Sequence, residues 1–318
     1  MKTSNEPAAK FSLREDFAPH SYEAWRAAAE KLLKGASFED VLKTQTYEDL
    51  TLSPIYWPPE SLEGLPQSLR SERGNRWDVT QEIFASDPAA FNRELRDNLK
   101  KGQTAVRLDL SRGQQSPKIE SAEDFAVIFE SVDLTQTPFF LHSGNSNAEC
   151  GEFFKTFCAA KNIETKKLTG ALSADPLGEL AKSGALPKTL ANIFDEIAKF
   201  TRWSTMNAPG LKTLLVNASS YHKAGADAVT ELAVAMATAA IYVREMLQRD
   251  FEIDEIAPKI MFQFSVGGHF FVEIAKLRAA KVLWHKIVEA FGGEGGEDIF
   301  IHAETSQINK SFLDPHVI

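Results

Sequence analysis

Residues Ile260–Ile287 read IMFQFSVGGHFFVEIAKLRAAKVLWHKI, and the spacing of apolar residues changes halfway along. Up to Val266, apolar Ile260, Phe262, Phe264 and Val266 alternate with Met261, Gln263, Ser265 and Gly267. A two-residue period is that of a strand, whose successive side chains point to opposite faces. After Gly267-Gly268 and His269 the apolar residues recur at helical spacing as far as Phe291. A strand that runs straight into a helix is one βα unit. The two glycines at its end permit close approach by a ligand or, equally, a tight strand-to-helix turn.

The same unit recurs along the chain. Strands are expected at Arg76–Ile83, Thr104–Ser111, Pro138–Gly144, Lys167–Asp175, Lys212–Ser219, Ile256–Gly267 and Asp298–Ser306. Helices are expected between them at Ala89–Lys101, Ser121–Ser131, Ala148–Lys161, Pro176–Lys182, Lys188–Lys199, Ala226–Gln248 and His269–Phe291. Such alternation implies parallel strands joined by crossover helices. About seven strands favour an α/β fold of the (βα)8 TIM-barrel type over an open sheet. An eighth is not visible, so the barrel is expected to be a C-terminally truncated part of a longer protein. Residues 1–62 read as a helical arm and linker, and 63–318 as the barrel domain. In the arm, Ser21 caps an amphipathic helix through Lys34, a short helix starts at Phe38, and a Pro-rich stretch ends it.

Composition excludes several classes. With 43% hydrophobic and 25% charged residues the chain is globular, and its net charge of -9 with no dense Lys/Arg run argues against nucleic acid. No apolar run approaches the ~18 residues of a membrane span. The N-terminus has no apolar signal-peptide core. Cys150 and Cys158 lie on one helix pattern, roughly 12 Å apart at 1.5 Å per residue, too far to bridge. A reduced, cytoplasmic protein is expected.

The inward side of the strands is unusual. Arg107, Asp109 and Ser111, then His142, then Thr169, Ala171, Ser173 and Asp175 fall on it. So do Asn217 and Ser219, and His302, Glu304 and Ser306. Ordinary barrels fill this position with Val, Ile and Leu. Each polar group buried without a partner would cost on the order of 1–3 kcal/mol. A polar lumen open to water or a ligand is expected, the alternative being polarity at the strand ends only.

Several phrases resemble the cobalamin-dependent methylmalonyl-CoA mutase family. The run Phe264–Ile287 resembles its sixth strand and following helix, and Tyr221–Val243 its fifth strand end and helix. HAETSQINKSFLDP, His302–Pro315, resembles its seventh strand and loop. The N-terminal residues Trp25, Glu30, Gly35 and Phe38-Glu39, and SPIYWP, resemble its opening segment. The resemblance implies a barrel threaded by an acyl-CoA and an adenosylcobalamin-dependent radical interconversion of methylmalonyl-CoA and succinyl-CoA. It implies Tyr221 and His222 as catalytic candidates, with His222 a general acid beside the thioester carbonyl or a retained hydrogen-bonding residue. The substrate-binding candidates are Arg107, Ser173, Gln263, Ser265, His302 and Glu304. His302 and Glu304 read either as a mutually satisfied pair or as an acid/base pair.

Departures from the family pattern point further. SERGNRW has Glu72 and Arg73 where catalytic members carry a Tyr. Ser173 in ALSADP stands where they carry a Gln, and Ser183 stands at a substrate-binding Arg. Glu304 replaces a Gln, and a carboxylate there would repel an anionic substrate. This set of losses is similar to the small, non-catalytic subunit of heterodimeric mutases. It implies a catalytic large subunit as partner, with adenosylcobalamin in the complex and not on this chain, whose cobalamin-binding domain is absent. Asp314-Pro315-His316 mimics the start of a cobalamin motif only by coincidence. The alternatives are an active mutase barrel lacking its cobalamin domain, and a barrel enzyme for another acyl-CoA or polar ligand. Arg107, Lys167 and Arg278 could meet CoA phosphates or form ordinary ion pairs. No Gly-x-Ser-x-Gly, His-Glu-x-x-His or Cys-x-x-Cys occurs, so nucleophile-elbow and metal chemistry are not expected. The glycine-rich GGEGGED, Gly292–Asp298, is acidic and reads as a connector.

Overall fold

A computed structural model describes residues 20–56, 77–145, 147–294, 299–308 and 310. The described residues fall into two compact units, one within 1–64 and one within 65–318. Glu72, Arg73, Ser311–Pro315 and the Asp314-Pro315-His316 motif lie outside the described residues.

In the first unit, helix α1 (Tyr22–Leu32) starts at Ser21, whose hydroxyl accepts from the Ala24 amide at 3.2 Å. Helix α2 (Phe38–Leu42) starts at Ser37 in the same way. Phe38 is buried edge-on against Trp25, with the Arg26 guanidinium 4.4 Å above its ring. Strands β1 (Thr44–Gln45) and β2 (Thr51–Leu52) pair antiparallel.

The second unit is the repeated βα pattern. Its helices and strands follow as α3 (Pro88–Lys100), β3 (Val106–Asp109), α4 (Ala122–Ile128), β4 (Phe139–His142), α5 (Asn147–Ala160), β5 (Gly170–Ala174), α6 (Pro176–Ser183) and α7 (Leu190–Asn207). Then come β6 (Leu211–Asn217), α8 (Ser219–Lys223), α9 (Ala228–Leu247), α10 (Ile253–Ile256), β7 (Ile260–Val266), α11 (Phe270–Ala290) and β8 (Phe300–Thr305). The six strands β3 to β8 form one parallel sheet in sequence order. Six flat strands spaced ~4.8 Å apart would set the edge strands roughly 24 Å from each other. Yet Arg107 on β3 lies 2.8 Å from His302 on β8. The sheet is therefore curled, as the expected TIM-type barrel requires, and its described part is a half-barrel.

One expected strand is not regular. Of Arg76–Ile83, residues 77–83 form no regular strand, and the Val79 carbonyl joins them to the residues just before β3 by accepting from Thr104 and Ala105. The helix expected at Lys188–Lys199 runs on to Asn207 as α7. The polar run TRWSTMN hides a buried stripe: Thr201 and Ser204 are buried, and the Thr201 and Thr213 hydroxyls meet at 2.8 Å.

Two apolar layers wrap the sheet. Outward Phe139 joins Phe125, Phe129, Phe154 and Phe157 in a cluster whose neighbouring rings are 5.2 to 6.2 Å apart. Outward Phe262 meets Trp284 of α11 edge-on at 5.1 Å. Aromatic pairs at such distances add about 0.5–1.5 kcal/mol each beyond area burial. Cys150 and Cys158 are buried thiols on α5.

The lumen corrects one expectation. Its lower layer is apolar: Ala105, Phe140, Ala171, Leu215, Met261 and Phe300 pack together there. Thr169 is exposed below β5 and does not line the lumen, and Asp175 turns to Tyr242 of α9. The hydrogen-bonded polar network lies in the upper layer and the mouth, and at the lower end Lys212 sits over the Phe300 ring. The reason is burial cost: the closed end has no partners to offer polar groups, so it is filled with carbon.

Candidate functional site

Parallel βα units end every strand at the same rim, and the upper lumen is built there. Arg107 projects from β3 to the far side. Its Nη1 donates to Gln263 Oε1 at 3.1 Å and to His302 Nε2 at 2.8 Å. A guanidinium only donates, so Nε2 of His302 is a lone pair and the imidazole is neutral. Burial and the Arg107 charge agree, lowering the His302 pKa to about 4. With its oxygen taken, Gln263 donates from Nε2 to Glu304 at 2.7 Å and to Ser219 at 3.0 Å. The Ser219 hydroxyl also lies 2.7 Å from Asn217 Oδ1. Glu304 Oε1 takes Lys223 at 2.5 Å. Burial pushes the Glu304 carboxyl up, but Lys223, Arg107 and Ser219 outweigh it and hold its pKa below the ordinary value.

A second cluster sits on β3 and β4. His142 Nδ1 lies 3.2 Å from Asp109 Oδ1, and its Nε2 points to Glu179 at 3.8 Å without a hydrogen bond. Burial raises the Asp109 carboxyl, but His142, Ser111 and Arg107 together hold it well below the usual range. Arg112 bridges Asp109 and Glu82, and Glu82 also faces Arg107. Lys182, Glu179, His142, Asp109 and Arg107 follow one another as close polar neighbours across the rim.

The structure thus brings Arg107, Gln263, His302 and Glu304 into one network. His302 and Glu304 do not pair with each other; each is joined to Gln263 or Arg107. Ser173 stands apart, fully buried, its hydroxyl reaching the Leu141 carbonyl at 3.4 Å. Ser265 is held by its amide, which donates to Glu231, and its hydroxyl is buried without a partner. His222 leaves the network: its Nε2 lies 2.8 Å from the Ser306 hydroxyl. Tyr221 is half-buried on α8, its pKa raised by burial and by the Asp175 charge. Lys167 is at the opposite, lower end and pairs with Glu164.

Sequence reasoning missed Glu82, Glu179, Lys223, Glu231 and Lys276. Lys276 on α11 and Glu231 on α9 are almost fully buried, 2.6 Å apart, and Lys276 also donates to the Ser265 carbonyl at 2.6 Å. This pair clamps the end of β7 just before Gly267-Gly268. A single Glu in the apolar run of α9 was the available signal.

Fold and rim together define a parallel α/β protein of the (βα) barrel class, with an internally bonded polar site at the strand ends. Residues 68–317 match the family described as methylmalonyl-CoA mutase. The chain belongs to the methylmalonyl-CoA mutase family. It is 29% identical to a methylmalonyl-CoA mutase small subunit of Streptomyces virginiae, over 96% of this chain and 51% of that protein. It is 28% identical to the small subunit of Porphyromonas gingivalis, covering 97% of this chain and 51% of that one. It is also 28% identical to the mitochondrial methylmalonyl-CoA mutase of Homo sapiens, over 92% and 43%. The chain spans about half the length of the curated relatives it matches.

Proposed function

We propose that this chain is the barrel part of a small, non-catalytic subunit in a heterodimeric methylmalonyl-CoA mutase. Its large partner subunit would carry the adenosylcobalamin-dependent interconversion of methylmalonyl-CoA and succinyl-CoA. The observation that carries the reading is that the lumen's polar groups bond to one another. Arg107, Gln263, Glu304 and Lys223 form a continuous chain across it. A substrate would have to break those bonds and meet an ionised Glu304. Small-subunit relatives that match nearly the whole chain support the same assignment.

Adenosylcobalamin supplies radical chemistry where it is bound. Among the described residues the imidazoles near the lumen each commit one ring nitrogen to a neighbour in this chain, His142 to Asp109, His222 to Ser306 and His302 to Arg107. No step is assigned to that cofactor on this chain. What these residues do is hold the rim in one shape, which suits a subunit that supports a partner. Two buried free thiols are compatible with the cytoplasm. No helix among the described residues is long and apolar enough to cross a membrane.

The test is calorimetry of the isolated chain with methylmalonyl-CoA, followed by co-expression with the large mutase subunit. No binding and a stable one-to-one complex are expected. Micromolar binding that disappears in His222→Ala would instead establish an active mutase barrel.

A further inference from the structure

The upper lumen faces Arg107 with acceptors on several sides. Gln263 Oε1 and His302 Nε2 take its Nη1. Glu82 Oε1 lies 3.6 Å from its Nε and Asp109 Oδ2 4.0 Å from its Nη2. Those four groups come from three strands and the segment before α3 that holds Glu82, so they surround the guanidinium. Arg107 is only 9% exposed and nothing else described supplies a cation to Gln263 or His302. Two of the acceptors are themselves set for a cation. Gln263 is held oxygen-inward because its amide nitrogen is committed to Glu304 and Ser219. His302 offers a lone pair and no charge. The lining carries carboxylates from Glu82, Asp109 and Glu304, which Arg107 shares with Arg112 on Glu82 and Asp109 and with Lys223 on Glu304.

We propose that the upper lumen is a guanidinium-binding seat, which the chain fills with its own Arg107 as a tethered plug. Emptied of that side chain, the seat takes planar organic cations that donate hydrogen bonds in several directions. It does not take anionic acyl thioesters, because without Arg107 three carboxylates, Glu82, Asp109 and Glu304, face only the two cations Arg112 and Lys223. Closure by an internal cation is therefore what separates this lumen from one that admits an acyl-CoA, a point that deepens the non-catalytic reading.

The test uses the whole chain, as wild type and Arg107→Ala, with guanidinium chloride as probe at low-millimolar concentration and sodium chloride and urea as controls. The thermal midpoint of R107A rises saturably with guanidinium alone, and the wild type does not respond. At ten times its Kd, guanidinium should shift the folding equilibrium of R107A about eleven-fold. If R107A does not accumulate folded, guanidinium in the refolding buffer restores it where sodium does not. Equal responses of wild type and R107A, no recovery on refolding, or binding of methylmalonyl-CoA by R107A in preference to guanidinium would each overturn the seat. Wild-type binding of methylmalonyl-CoA would overturn the proposed function and the closure by Arg107 together, while the guanidinium response of R107A tests the seat by itself.

Discussion

Lys276→Met removes the cation from the most deeply buried ion pair described. Lys276 Nζ lies 2.6 Å from Glu231, 2.6 Å from Glu273 and 2.6 Å from the Ser265 carbonyl. Its side chain is 1% exposed, and that of Glu231 is 0% exposed. Methionine matches the lysine stem, so little packing is lost and the electrostatic consequence is isolated. Glu231 keeps the Ser265 amide at 2.8 Å but loses its counter-charge, and the Ser265 carbonyl loses its donor. Breaking a buried pair from one side costs about 3–5 kcal/mol, because it strands a charge. Domains of this kind are stable by only about 5–15 kcal/mol, so K276M should be strongly destabilised. Adding Glu231→Gln removes the more deeply buried of the two carboxylates that lose Lys276, while its amide oxygen still accepts from Ser265; Glu273 keeps its charge. The double variant should therefore recover part of the loss, with a coupling on the order of 1–3 kcal/mol. Urea unfolding of wild type, both single variants and the double variant measures that cycle. A K276M cost under about 1 kcal/mol, or additive single effects, would refute a dehydrated pair.

Acid should destabilise the fold through His302, and His302→Gln should flatten the response. The folded imidazole, at about 4, gives up its proton more readily than the unfolded one. Between about pH 6.5 and 4 the unfolded chain binds more protons, so stability falls with acid by up to ~3 kcal/mol. An unchanged slope of urea-unfolding free energy against pH in H302Q would show that other groups carry it. Gly170→Ala should cost at least ~3 kcal/mol in urea unfolding, since strain and overlap combine there. Gly170 has φ +115°, and a Cβ would lie 1.9 Å from the Phe139 carbonyl oxygen. A loss under about 1 kcal/mol would mean the strand pairing yields easily. Burial pushes the Cys150 and Cys158 thiols up to about 12. Neither should react with a thiol reagent at neutral pH in the native protein, and both should after denaturation. Mass spectrometry showing prompt native labelling would contradict the packing of α5.

What the sequence by itself determined was periodicity. The two-residue alternation in IMFQFSV and the helical spacing after Gly267-Gly268 are local properties, so β7 and α11 were legible, as were the faces on which Phe262 and Gln263 lie. The polar side of the upper lumen was legible for the same reason. The depth of that lumen was not: Phe140 and Met261 become a plug only when the curl brings β4, β7 and β8 together. Thr169 kept the strand's parity but fell below its first paired residue, where water reaches it. Partner identity was equally invisible. Arg107 and Gln263 are 156 residues apart, and Glu231 and Lys276 are 45 apart. Alternation says which way a side chain points, whereas its charge state and bonds depend on whatever the curled sheet places opposite it.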